Sequence, residues 1–352
     1  MRIEQITFTR FIAAISIVIY HFGKNIFPFD NKLISFLFKQ ANIGVSYFFI
    51  LSGFIMIIAY QSKSKINILD YFKNRFARIY PVYFIALILL FVGRFIVGDF
   101  IDYSGFILNV FVVQAWVPGM ALAFNPPAWS LSVELLFYAI FPFLFNSFYS
   151  KINNYKKYIF PIFLFFLVSQ FILHYFFYSG FYKGPKTFSH DLLFYFPLMH
   201  LNAFLIGNIT GLFFVKKVKQ GLQNFDLHIL IIITLIILAL KNPCGLIYNN
   251  GLFSILFVPL ILLICLNNGL ISFIFKAKIL VFLGEISFGI YILQIPVFNF
   301  SKVFLKFVGI KDHMQFFYFS LVILVLVSAI SYVIIETPLR NKINRLRFNK
   351  RK

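Results

Sequence analysis

The sequence predicts an all-α, polytopic integral membrane protein of about ten transmembrane helices, with both termini on the cytoplasmic side. Three observations predict it. Hydrophobic residues fill 61% of the 352 positions and charged residues only 12%, about half of the ~25% usual in soluble domains. Ten apolar segments are long enough to cross a bilayer, which takes about 20 residues each. Lys and Arg concentrate in alternate loops.

The spans fall near 6–22, 42–60, 79–97, 127–148, 158–179, 192–215, 226–240, 251–267, 279–301 and 315–337. No small-residue cleavage site follows His21, so the first span reads as an anchor and not a signal peptide. The stretch 106–117 is too short to span easily and reads as re-entrant or interfacial. The seventh span is short, but residues 229–240 are almost purely aliphatic. No alternating strand pattern is present, so helices must satisfy the backbone in lipid. All loops are short. The chain therefore reads as a single transmembrane domain over 1–352, with no separate soluble domain and no internal repeat.

With the N-terminus cytoplasmic, 21 of the 32 Lys and Arg fall in inside segments and nine outside; Arg10 and Arg94 lie within spans. This split sets the orientation and accounts for the net charge of +21 without a nucleic-acid partner. Seven of these charges lie in the tail from Arg340 to Lys352, which suits contact with anionic membrane lipids. Cys244 and Cys265 lie in separate apolar regions and imply neither a disulfide framework nor a metal site.

Ionisable groups at membrane depth are costly and mark function by default. Arg10 and His21 share the first span, 11 residues apart, and 11 steps of about 100° return almost to the same face over a rise of roughly 16 Å. Arg10 is then nearer the cytoplasm and His21 near the outer end. Taken alone, each also reads as interfacial, the arginine snorkelling inward and the histidine among outer headgroups. Glu134 lies in Asn125-Pro126-Pro127-Ala128-Trp129-Ser130-Leu131-Ser132-Val133-Glu134. The two prolines set a helix start, Asn125 could cap it, and Ser130 and Glu134 share a face. Glu134 then sits about two turns in from the outer side, at the depth of His21. Trp129 suits an aromatic belt. A structural partner for Glu134, Arg94 or a backbone group, is the plainer reading of that carboxylate. Glu285 and Gln294 lie on the ninth span, Gln294 near the outer end with Tyr291 one turn before it. Arg75 and Arg78, neighbours on a helix, and Glu336 to Arg340 lie at the inner face.

These residues together resemble the type-three family of integral-membrane acyltransferases, which includes bacterial O-antigen and exopolysaccharide O-acetyltransferases. Arg10 and His21 are similar to its first-helix motif, and Gly44 to Phe54 to its second-helix signature. Arg75-Phe76-Ala77-Arg78 resembles its cytoplasmic Arg-x-x-Arg motif, and Pro127 to Glu134 with Phe137, Tyr138 and Pro142 its Trp-Ser-Leu segment. Ser287 to Pro296 and Glu336-Thr337-Pro338 resemble its two C-terminal signatures. The resemblance runs almost end to end. Two departures stand out. The opening reads Ile6-Thr7-Phe8-Thr9-Arg10, without the family's acidic residue and glycine, and Gln294 stands where a histidine is common. Gln294 keeps a hydrogen-bonding role only. The extracytoplasmic hydrolase-like domain often found in the family is not in this chain, which is expected to act alone or with a separate partner.

The resemblance implies acetyl transfer from cytoplasmic acetyl-CoA, a donor substrate and not a tightly bound cofactor, to a hydroxyl of a cell-surface polysaccharide or its lipid-linked precursor. It also implies a bacterial inner-membrane location. A sugar hydroxyl needs a base within hydrogen-bond reach. His21 is one candidate, with Glu134 orienting it; Glu134 is the other. Direct attack and an acyl-histidine intermediate stay open. Asn125, Ser130, Tyr291 and Gln294 are the candidate oxyanion donors. Arg75 and Arg78 suit the donor's phosphates, and Arg10 lies between them and His21, so the pantetheine arm is expected to thread along the first helix. Trp129 completes the expected substrate-binding set. The competing readings are a proton-coupled transporter or flippase of the polysaccharide pathway, and a non-catalytic scaffold. Transporters often show two related halves, which this sequence lacks, and a scaffold need not carry costly buried charge.

Overall fold

The computed structural model describes residues 3–151, 155–217 and 221–345. Helix is the regular structure throughout, with no named strand among the described residues. The chain runs through α1 (Glu4–Val18), α2 (Ser35–Lys39), α3 (Ile43–Tyr60), α4 (Ile68–Val97), α5 (Tyr103–Val110) and α6 (Trp129–Ser147). Next come α7 (Ile159–Tyr178), α8 (Phe188–Phe194), α9 (Leu201–Lys217), α10 (Asp226–Lys241) and α11 (Ser254–Leu266). The chain continues through α12 (Leu270–Phe275), α13 (Lys278–Glu285), α14 (Ser287–Phe307), α15 (His313–Ser331) and α16 (Thr337–Arg345).

All ten predicted spans coincide with helix. Eight helical stretches among the described residues are long and apolar enough to cross a membrane: Glu4–Gly23, Ile43–Tyr60, Ile68–Val97, Pro126–Ser147, Lys156–Tyr178, Phe188–Lys217, Ser287–Phe307 and His313–Ile343. The seventh and eighth segments form shorter helices, of 16 and 13 residues. The protein is thus a multi-pass, all-helical membrane protein. Arg2, Lys219 and the basic tail beyond Arg345, which entered the orientation argument, lie outside the described residues.

The structure departs from the sequence reading at helix ends and breaks. The third helix starts at Ile68, well before residue 79, because Asn67 caps it by accepting the Asp70 amide at 3.1 Å. Arg75 and Arg78 therefore ride on the membrane helix itself. The stretch 106–117 resolves into α5, capped by Asp102, and a 3-10 turn at Gln114–Trp116. The ninth span is two helices and not one. α13 and α14 meet at Ile286, so Glu285 and Gln294 do not share a helix. Just before the break, Gly284 lies against the backbone of Thr7 on α1, where a β-carbon would strike the Thr7 carbonyl. Two helices also widen into π-helical turns. α1 does so at Ile19–Gly23 and α15 at Tyr332–Glu336, from which α16 continues.

α3 and α9 form the tightest helix pair. Gly53 faces the Phe204 carbonyl and Gly207 faces the Ile50 carbonyl, both too close for any side chain. Gly211, four residues after Gly207, packs on Ile57 and the Phe54 carbonyl. In lipid no hydrophobic force joins helices, and small residues permit the close backbone approach that does. Around this pair one apolar cluster gathers Phe49, Phe54, Phe137, Phe204 and Ile261. A second gathers Ala14, Tyr83, Leu87, Ile290 and Leu324 from α1, α4, α14 and α15. Members of both line the cavity described next.

Candidate active site

α1, α3, α4, α6 and α14 surround a cavity of about 470 Å³, joined by the end of α13, the second π turn and α16. That volume is in the range of small-molecule sites, roughly 300–1,000 Å³. Arg10 enters from α1, Arg75 and Arg78 from α4, Ser130, Glu134 and Tyr138 from α6, and Tyr291 from α14. Glu285, Glu336 and Arg340 complete its charged lining. Four arginines and three carboxylates thus share one space in the interior of an apolar bundle.

The polar contacts divide into two groups. Tyr291 donates its hydroxyl proton to the Pro127 carbonyl at 2.8 Å. Ser130 Oγ lies 2.9 Å from Tyr291 Oη and 3.2 Å from the same carbonyl. Pro127 sits in the 3-10 turn Pro126–Ala128 that opens α6, so these hydroxyls tie the start of α6 to α14. Glu134 is one turn further along, and Tyr138, one turn beyond it, donates to Glu134 Oε2 at 3.2 Å. Arg78, Arg10 and Arg75 face Glu134 from α4 and α1. The Arg75 guanidinium lies 5.9 Å from the ring centres of both Tyr71 and Tyr138.

The structure therefore brings together Arg10, Arg75, Arg78, Ser130, Glu134 and Tyr291, six of the ten residues singled out in the sequence. The other four lie elsewhere. His21 sits in the first π turn, exposed, with Tyr20 and Phe22 as ring neighbours at 5.1 and 6.3 Å. Glu134 keeps company with Arg10, one rise of roughly 16 Å below His21, and does not orient that imidazole. Asn125 is fully buried but makes no capping bond; its amide donates across to the Ile292 carbonyl at 3.4 Å. Gln294 is buried with its amide on the Tyr291 carbonyl at 2.6 Å. Trp129 packs among Tyr195, His200 and Phe49, an aromatic cluster beside the cavity. Arg94 is no partner of Glu134, since its guanidinium lies 4.6 Å over the Phe124 ring.

Tyr138 and the charged lining residues Glu285, Glu336 and Arg340 were not in the predicted set. Tyr138 was open to detection, because a hydroxyl four residues from a carboxylate on a helix is within bonding reach. The others depend on the break at Ile286 and on the second π turn, which hydropathy does not reveal. Among the described residues no group of three His, Cys, Asp or Glu gathers to hold a metal.

A basic end beside a carboxylate and a hydroxyl pair suits acid–base chemistry on an anionic ligand. The comparisons with known proteins agree in kind. A family model described as an acyltransferase domain matches residues 3–336. The chain belongs to the type-three acyltransferase family. This acyltransferase-family chain is similar to the acyltransferase MdmB of Streptomyces mycarofaciens, 30% identical over 152 residues, which cover 40% of the chain and 39% of that protein. It is 25% identical to the O-acetyltransferase OatA of Staphylococcus aureus over 364 residues, covering 95% of the chain and 56% of OatA. It is also 25% identical to the putative acetyltransferase ORF330 of Acidianus two-tailed virus, covering 83% of the chain and 81% of that protein. The chain spans about half or less of the length of the first two curated relatives. No solved structure matches it.

Proposed function

We propose that the protein is a membrane-bound O-acyltransferase of the bacterial inner membrane that moves acetyl from cytoplasmic acetyl-CoA to a hydroxyl of a cell-surface polysaccharide or its lipid-linked precursor. The observation that carries this reading is the cavity itself. In a chain of an acyltransferase family, one space holds Arg75, Arg78 and Arg10 together with Glu134, Ser130 and Tyr291, which supports a phosphate-bearing donor beside a base. Guanidinium forks match phosphate oxygens, and a carboxylate held apart from water can serve as a base.

In this reading the donor's phosphates rest on Arg75 and Arg78, and the arm passes Arg10. The thioester then lies by the hydroxyl pair. Glu134 removes the proton of the acceptor hydroxyl, and the acceptor oxygen attacks the thioester carbonyl. The tetrahedral intermediate collapses, breaking the C–S bond, and the departing thiolate takes the proton back from Glu134. His21, exposed at the far end of the first helix, meets the acceptor from the outer side and positions it.

The test is transfer of label from radiolabelled acetyl-CoA to polysaccharide, in membranes expressing the wild type, Glu134→Gln or His21→Ala at equal levels. The reading expects label with the wild type and background only with Glu134→Gln. Transfer retained by Glu134→Gln and lost by His21→Ala would make the imidazole the base. Absence of acetyl-CoA binding by the purified wild type would remove the donor assignment altogether.

A further inference from the structure

The inner part of the cavity contains more polar chemistry than the reaction above uses. Glu336 is buried, and its Oε1 has no hydrogen-bond partner. Arg75 Nε is buried and unpartnered on the facing helix, and so is Thr337 Oγ1, next to Glu336. A buried polar atom without a partner costs stability, so each needs an explanation. The backbone is also unusual here. α15 does not pass smoothly into α16; it widens through the π turn Tyr332–Glu336. One extra residue in a helical turn swings the following side chains by about 100°, and π turns concentrate at functional sites. The turn directs Glu336 into the cavity, and α16 then packs on α4, the helix that carries Arg75 and Arg78. Arg340, one turn beyond Glu336, reaches the same cavity.

The charges favour an anion. Arg78 faces Arg10 and Arg75 across a desolvated space, and Glu336 faces Arg340, Arg78 and Arg10. Like charges crowded away from water are unfavourable unless an anion joins them. Three carboxylates against four arginines leave the cavity short of negative charge even when all are ionised.

We infer that the Glu336–Arg340 segment is part of the donor site: Arg340 joins Arg75 and Arg78 as a third arginine on the coenzyme's phosphates, and Glu336 Oε1 accepts an amide N–H of its pantetheine arm. This rests on the reading of the cavity as the acyl-CoA site. A pyrophosphate with a 3′-phosphate offers more acceptor oxygens than two guanidinium groups can engage. An arm with two amides offers N–H donors to a carboxylate oxygen that has none. The segment runs from the second π turn into α16, so the last described helix reaches the site lined by α1, α3 and α4.

The experiment compares binding of CoA and of pantetheine, which lacks every phosphate, to purified wild type, Arg340→Ala, Arg340→Lys and Glu336→Gln in lipid nanodiscs. The wild type is expected to bind CoA at least 10-fold more tightly than pantetheine. Arg340→Ala should weaken CoA binding by 10-fold or more, leave pantetheine binding unchanged, and be partly rescued by Arg340→Lys. Glu336→Gln keeps one acceptor oxygen but loses the charge that strengthens the bond, and should weaken both ligands by a similar factor. Unchanged pantetheine binding also shows that a variant is folded. If Arg340→Ala binds CoA like the wild type, the inference is wrong while the donor reading stands. If the wild type does not prefer CoA to pantetheine, the donor reading fails and this inference with it.

Discussion

The two hydroxyls where the start of α6 meets α14 look interchangeable, but a count of their protons separates them. Tyr291 and Ser130 have one proton each. The Tyr291 proton has the shorter path to the Pro127 carbonyl, 2.8 Å. The Ser130 proton has a choice between Tyr291 Oη at 2.9 Å and the same carbonyl at 3.2 Å. With Tyr291 on the carbonyl, Ser130 can turn its proton to a developing oxyanion without orphaning a buried acceptor, whereas Tyr291 can do so only after Ser130 has taken over that carbonyl at the longer distance. Ser130→Ala is expected to lower kcat by about 10²–10³, the usual cost of one oxyanion donor, with little change in KM. Tyr291→Phe removes the hydrogen bond to the Pro127 carbonyl, about 1–3 kcal/mol of stability where that carbonyl is left without its donor. Its kcat should fall by less than ~10-fold, since the oxyanion donor survives. The assay is steady-state acetyl transfer by purified protein, normalised to folded protein. Equal losses of kcat for the two variants would refute the proton count, and a loss confined to Tyr291→Phe would reverse it.

Other outcomes follow from single contacts. Tyr138→Phe removes a hydrogen bond to a carboxylate, about 1.5–3 kcal/mol, and should lower kcat without weakening CoA binding, measured by calorimetry. Gly207→Leu forces α3 and α9 apart, because the Ile50 carbonyl occupies the space a side chain needs. A cost of about 1–3 kcal/mol should appear as a lower melting temperature in detergent. Gly180→Ala, where nothing lies within 4 Å of the new carbon, should melt with the wild type. Arg94→Ala should retain acetyl transfer, since that guanidinium stacks on Phe124 and not on Glu134; loss of transfer at normal folded yield would show that the α4 arginines act together.

Sequence alone located the spans well and their interruptions poorly. Crossing lipid is a property of a whole segment, so an apolar run such as 42–60 announces its helix, Ile43–Tyr60, almost to the residue. A break depends on what lies next to it. Gly284, one residue before the end of α13, lies against Thr7 of α1, a contact between residues far apart in the chain. The close approach of Gly53, Gly207 and Gly211 likewise depends on a partner helix that the local sequence does not name. The same division runs through the site. Arg10 and Glu134 were visible as charges in apolar surroundings and Arg75 and Arg78 as an inner-face pair, while Glu285, Glu336 and Arg340 needed the break and the π turn to reach the cavity.

These irregular places and the intramembrane charges have a common cause. A backbone that leaves regular helix within a bilayer is tolerated only where protein or an aqueous cavity covers it, and an ionisable side chain is tolerated under the same condition. Both are therefore selected for the same few positions. His21 and Glu336 each lie within a π turn, and Glu285 is the last residue of α13. Arg10, Arg75, Arg78 and Glu134 lie on unbroken helix, but where five helices face inward and leave space between them. An ionisable residue in an apolar run thus gives two expectations at once, a cavity beside it or a break beneath it. The two can coincide: Glu285 and Glu336 lie at a break and also line the cavity, whereas His21, with Tyr20 and Phe22 of its own turn as ring neighbours, marks a break away from the cavity lining.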